Sequence, residues 1–143
     1  MRQVTAAGNR FRQAHGLPAV LDAACDAFEA ILTVIGDYED TTTTGTAFTL
    51  LLVATQAANG RDAVLFTPSL PPRQLPRPSA ERGRADAPDQ GNELDAAIAV
   101  GALLEARLSQ AAEQSADPAD RLGCRTAARY ARQIHVLLTG SGP

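Results

Sequence analysis

The stretch from Thr67 to Asn92 limits the folds open to this chain more than any other feature. It holds six of the nine prolines together with Arg73, Arg77, Arg82 and Arg84, and almost nothing that can enter a core. Proline lacks the backbone N–H that helices and central strands use, and its ring clashes with the preceding helical turn. The stretch therefore reads as a long, disordered or polyproline-like loop, residues 67–92. At 143 residues the chain is long enough for one ordinary core. The segments on either side of the loop must build that core together.

Both flanking segments carry helical periodicity. Val4, Ala7, Phe11 and Ala14 recur at helical intervals and predict a short helix from about Thr5 to Ala14, stopped at His15-Gly16. Pro18 suits a first helical turn. It opens a second helix to about Ile35, with Leu21, Ala24, Phe28, Ile31 and Ile35 on one face and Gly36 as its stop. A third helix is expected from about Thr46 to Ala58, with Asn59-Gly60 as its C-cap and one more turn at Asp62 to Phe66. Phe48, Leu50, Leu51, Leu52 and Val53 make it apolar nearly all round, which places it in the centre of the bundle.

Beyond the loop, Asn92 and Asp95 cap a fourth helix whose inner face runs through Leu94, Ala97, Ile98, Gly101, Leu104 and Leu108. Asp117-Pro118-Ala119-Asp120 is the clearest boundary in the chain: an N-cap Asp, Pro at the first position and acid in the first turn. It opens a fifth helix to about Thr139, stopped by Gly140. The expected fold is all-α: an up-and-down bundle of four main helices plus a short N-terminal one, in a single domain, with the long loop between helices three and four.

Charge is distributed unevenly. The net charge of -3 and the pI near 5.3 argue against wholesale nucleic-acid or membrane binding. Asp22, Asp26, Glu29, Asp37, Glu39 and Asp40 fall in a region without an Arg, whereas Arg121 to the C-terminus contains four Arg and no acid. All thirteen Lys-or-Arg positions are Arg, so Arg abundance by itself says little. The N-terminus lacks the apolar run of a signal peptide. Cys25 and Cys124 stand about a hundred residues apart and suggest reduced, buried thiols rather than a disulfide framework. A cytoplasmic location is the expectation.

Arg121, Arg125, Arg129 and Arg132 recur at spacings of four, four and three, which sets them along one stripe of the fifth helix. Such a stripe is either a phosphate-contacting face or a solvated, salt-bridged one. The span Ala119 to Tyr130 resembles a helix-turn-helix in having Ala119 four residues before Gly123, Leu122 directly before it and an Arg-rich continuation. The Pro118 cap favours one continuous helix there instead.

Asp22, Asp26 and Glu29 form an acidic stripe with the spacing that metal-dependent helical nucleotide hydrolases use, without their Glu-x-x-Glu pairs. This stripe is expected to be solvated or to face the Arg stripe, within the chain or across a dimer. Neither His15 nor His135 has an acid three residues before it, so a di-iron bundle is excluded. Pro68-Ser69-Leu70-Pro71-Pro72-Arg73 matches the P-x-x-P-x-R pattern of polyproline recognition.

Two function classes follow. The first is a non-enzymatic interaction or regulatory accessory protein, of a kind encoded on a mobile element or in a specialised gene cluster, with a protein partner or a second copy of itself. Small residues such as Ala96, Ala97, Gly101 and Ala102 favour the homodimer. The second is a small helical enzyme or ligand carrier with Tyr38, Tyr130 and His135 as the polar groups of an inter-helix pocket. A DNA-binding regulator using the Arg stripe is the remaining alternative. No cofactor and no metal are expected.

Overall fold

The structure is a computed structural model that describes residues 3–39, 44–73 and 90–140; of residues 38, 39, 44–46 and 90–92 it describes the backbone alone. The expected all-α bundle is what it shows. Its helices are α1 (Gln3–Gln13), α2 (Leu17–Glu39), α3 (Thr44–Leu65), α4 (Gln90–Gln114) and α5 (Pro118–Thr139), with no strand among the described residues.

The four long helices form a ring in the order α2, α3, α5, α4, with α3 and α4 on one diagonal and α2 and α5 on the other. Each runs antiparallel to its ring neighbours. Gly123 near the start of α5 packs on Ala63 and Thr67 at the end of α3, and Gly101 of α4 packs on Ala131 and Ile134 of α5. α1 lies over the α2–α4 opening, where contact between those two helices is thinnest. The core fills the ring with Leu21, Phe28, Ile31, Ile35, Leu104, Leu108 and Ile134, and Val4 and Phe11 close it from α1.

Local chemistry accounts for the element ends. Gly16, at φ 86°, turns the chain between α1 and α2 in a conformation that a side chain would resist. The Asp117 carboxylate accepts hydrogen bonds from the Ala119 and Asp120 amides at the start of α5, and Gly140, in the left-handed region, ends it. The C-terminal end of α1 is capped from a different helix. Arg107 of α4 donates to the carbonyls of Phe11 and Ala14, the latter at 2.8 Å, and lies 5.1 Å above the Phe11 ring.

The structure corrects three expectations. α3 does not stop at Asn59-Gly60 but continues to Leu65. Gly60 is there because the Phe28 ring occupies the space of a Cβ, which would lie 2.4 Å from Cε1. α2 likewise passes through Gly36 to Glu39. Finally, α3 is not central: as a ring member it touches only α2 and α5 and turns its third side to solvent. The beginning of α4, at Gln90, precedes the expected Asn92 cap, whose side chain lies outside the described residues.

The first part of the expected loop is also ordered. Thr67 is buried and its hydroxyl donates to the Val64 carbonyl at 2.5 Å; Leu70 packs against the core. Ser69 then donates twice to Asp120, from its amide at 3.0 Å and its hydroxyl at 2.5 Å. Asp120 is only 3% exposed, so its carboxylate secures this segment as well as standing in the first turn of α5. Residues 74–89, which carry the rest of the expected loop, lie outside the described residues.

Candidate interaction surfaces

The apolar surplus of α3 has a specific placement. Phe48, Leu51, Thr55, Ala58, Asp62 and Leu65 succeed one another at intervals of three and four, which puts them on one stripe of the helix. Phe48 is 62% exposed, Leu51 54%, Leu65 44% and the adjoining Phe66 85%. Leu122 of α5, 66% exposed, stands one residue before Gly123, where α5 meets the end of α3. Singly exposed apolar residues are ordinary, but this many on neighbouring elements amount to a patch. Asp62 on the stripe is held by Arg61 at 3.2 Å.

Leu122 also heads the Arg stripe, because Leu122, Arg125, Arg129 and Arg132 are spaced three, four and three. Arg121, Arg125, Arg129 and Arg132 are all exposed. Arg121 donates to the Ser115 carbonyl at 3.0 Å, whereas Arg125, Arg129 and Arg132 have no carboxylate within 4 Å among the described residues. The span resembling a helix-turn-helix is one uninterrupted helix, so that resemblance ends at the sequence.

The acidic stripe of α2 meets a different arginine from the ones expected. Arg73 donates to the Asp22 carboxylate at 2.5 Å, the Asp22 carbonyl at 2.9 Å and the Asp26 carboxylate at 2.6 Å, with Glu29 at 3.9 Å. The Arg of the P-x-x-P-x-R pattern is thus engaged within the chain. Among the described residues no three His, Cys, Asp or Glu side chains converge in a way that would hold a metal ion.

Tyr130 and His135 are not brought together, since five residues along a helix turn them to different sides. His135 Nδ1 lies 3.2 Å from the Ile98 carbonyl, which ties its ring to α4. Of Tyr38 the backbone alone is described. A cleft of about 170 Å³ opens elsewhere, between the α1–α2 turn and α4, lined by His15, Gly16, Leu17, Val20 and Arg107 among others. The Arg107 donors are already engaged by α1.

Both thiols are free and buried. Burial pushes the Cys25 thiol up to about 12, against the opposing pull of nearby Arg73. Burial with the neighbouring Asp120 raises Cys124 to about 11. Both thiols are therefore protonated near neutral pH, as buried structural cysteines are. Among the described residues no helix is long and apolar enough to cross a membrane.

Sequence reasoning gave Arg73 a place in a recognition motif and not its pairing with α2, and it missed Arg107. The signal for Arg107 was its place in the Leu104, Arg107, Leu108, Ala111 register, a charged residue at the edge of an apolar face. Comparison with protein-family models, curated proteins and solved structures finds no match.

Proposed function

We propose that this protein is a non-enzymatic interaction or regulatory accessory factor acting in the cytoplasm, and that its working surface is the outer face of α3 continued by Leu122. The observation that supports this is the exposure of Phe48, Leu51, Leu65, Phe66 and Leu122 on adjoining elements. Leaving such side chains in water forfeits about 1.5–3 kcal/mol each relative to burying them, which favours a covering partner. The enzyme or carrier alternative asks for a pocket shared by Tyr38, Tyr130 and His135, and the last two do not converge.

The test is a photo-crosslinking side chain at exposed Thr55, with exposed Ser109 on α4 as the control, in extract of the source organism. A discrete adduct at position 55, absent at 109 and lost on Phe48→Ser with Phe66→Ser, is expected. Equal or absent adducts at the two positions would overturn the reading.

A second reading has its own support in the three guanidinium groups of Arg125, Arg129 and Arg132, exposed and without a carboxylate within reach among the described residues. Three phosphate contacts would give a slope of log K against log salt near about -2.7 on duplex DNA. A gel shift that flattens in the triple Ala variant would support it. A wild type that leaves DNA unshifted at low salt would dismiss it.

A further inference from the structure

We infer that the partner of the α3 face is a second copy of this chain, docked with the two α3 helices antiparallel about a two-fold axis between Thr55 and Ala58. This names the occupant of the surface proposed above and rests on that reading.

The stripe itself is self-complementary. Large apolar side chains stand at its ends, Phe48 and Leu51 at one and Leu65 with Phe66 at the other, while Thr55 and Ala58 in the middle are small. Phe48 and Leu65 are about 25 Å apart along the helix. An axis midway between them sets the Phe48 end of each copy on the Leu65, Phe66 and Leu122 end of the other. Small residues at the crossing let the helix backbones approach, Phe48 of each copy meets Leu65 of the other, and Leu51 lies over Asp62 of the other copy, whose charge its own Arg61 offsets. Such isologous pairing is the commonest closed arrangement of identical chains.

Charge supports the same register. At the C-terminal end of α2, the end of the bundle where α3 begins, Asp37 is exposed. The opposite end carries exposed Arg121 and Arg125 beside Leu122, with the Asp117 carboxylate there turned to the amides of its own helix. The two-fold axis pairs acidic corner with basic corner twice, whereas a parallel arrangement would set like against like. Asp62, the charged member of the stripe, is already held by Arg61.

Area is consistent with a reversible dimer. From their exposed fractions, the five apolar side chains offer about 550 Å² per copy, or about 1,100 Å² in all, just under the range of standard interfaces. The chain's own segment 74–89 does not suit the patch: Leu75 is its sole large apolar residue. Of the small residues of α4, Ala97 is fully buried and Gly101 packs against α5, which leaves Ala102 exposed and no large apolar side chain beside it to anchor a dimer.

The experiment uses the full chain. Light scattering from micromolar to about 200 µM should show a particle approaching twice the 15.0 kDa chain mass as concentration rises. Leu51→Glu, and separately Phe66→Ser, should each weaken association at least about tenfold while the circular dichroism stays helical, since both side chains are exposed. Thr55→Cys should cross-link to itself with a short bismaleimide and Ser109→Cys should not, the native thiols being buried.

A wild type that is monomeric at the highest concentration overturns the inference, as does a dimer that cross-links at 109 and survives both substitutions. A monomer that still yields the position-55 adduct with another protein defeats the second copy and leaves the interaction surface standing. A monomer with no such adduct defeats both.

Discussion

Two glycines inside helices invite the same substitution with opposite results. At Gly36 a Cβ would meet nothing within 4 Å, so Gly36→Ala should gain the helix-propensity difference alone, about 0.5–1 kcal/mol. At Gly60 the same gain applies, but the new carbon would lie 2.4 Å from Phe28 Cε1 and 2.6 Å from Cζ. Carbon atoms settle about 3.5–4.0 Å apart, so ring or helix must retreat by roughly 1 Å.

Phe28 is fully buried and has no room to retreat, and overpacking of this kind costs about 1–3 kcal/mol. Propensity is common to both variants, so their difference isolates the steric cost. For a chain of this size each kcal/mol moves the midpoint by about 2–4 °C, giving a separation of about 2–12 °C with Gly60→Ala lower. Thermal unfolding followed by circular dichroism reads it directly. Adding Phe28→Leu should recover at least about 1 kcal/mol of coupling in a double-mutant cycle. Equal midpoints for the two Ala variants would refute the close packing of α2 on α3 and reopen the Asn59-Gly60 stop.

Arg107→Ala removes the donors that cap α1 and the cation over Phe11, and should cost about 2 kcal/mol while speeding amide exchange in α1 ahead of the other helices. Uniform acceleration across all five helices would speak against a local clasp. Arg73→Ala frees Asp22 and Asp26 from their ion pairs and should lower stability by about 1–2 kcal/mol at low salt, less in 1 M salt because the carboxylates are partly exposed. A salt-independent loss would point to packing instead. The two thiols titrate near 9.0 in the unfolded chain and at about 12 and 11 in the folded one. Unfolding therefore releases protons above pH 9, and stability should fall progressively from there toward pH 12 while these groups leave it unchanged below. Native protein at pH 8 should be unreactive toward a thiol-exchange reagent, and rapid labelling would contradict the burial.

Helix termini built on backbone conformation were legible. Gly16, the Asp117-Pro118 cap and Gly140 act locally, and their meaning does not depend on what lies opposite. Gly60 was not legible in the same way. A glycine that ends a helix and a glycine that admits a neighbouring ring look alike in one dimension, and Phe28 lies thirty-two residues away. The apolar girth of α3 misled for a related reason. Periodicity reports how many sides of a helix avoid water, whereas the ring order decides how many of them the same chain covers. Electrostatic pairing was the least legible. The acidic stripe was visible, but choosing Arg73 over four arginines of α5 required the docking of Thr67 and Leu70, which composition had assigned to a solvated loop.

The diagonal placement of α3 and α4 divides the molecule into two antiparallel hairpins, α2–α3 and α4–α5, each local in sequence and able to form before the other. Residues 74–89 join them in sequence, and a flexible connection inserted there would be tolerated, since doubling the length of such a connection costs only about 0.6 kcal/mol of closure entropy. Cut there, the chain becomes two peptides that still hold complementary faces, α3 for α5 and α1 for α4. The bundle is thereby a natural two-part reporter, in which light or fluorescence attached to either half would register reassembly of the whole.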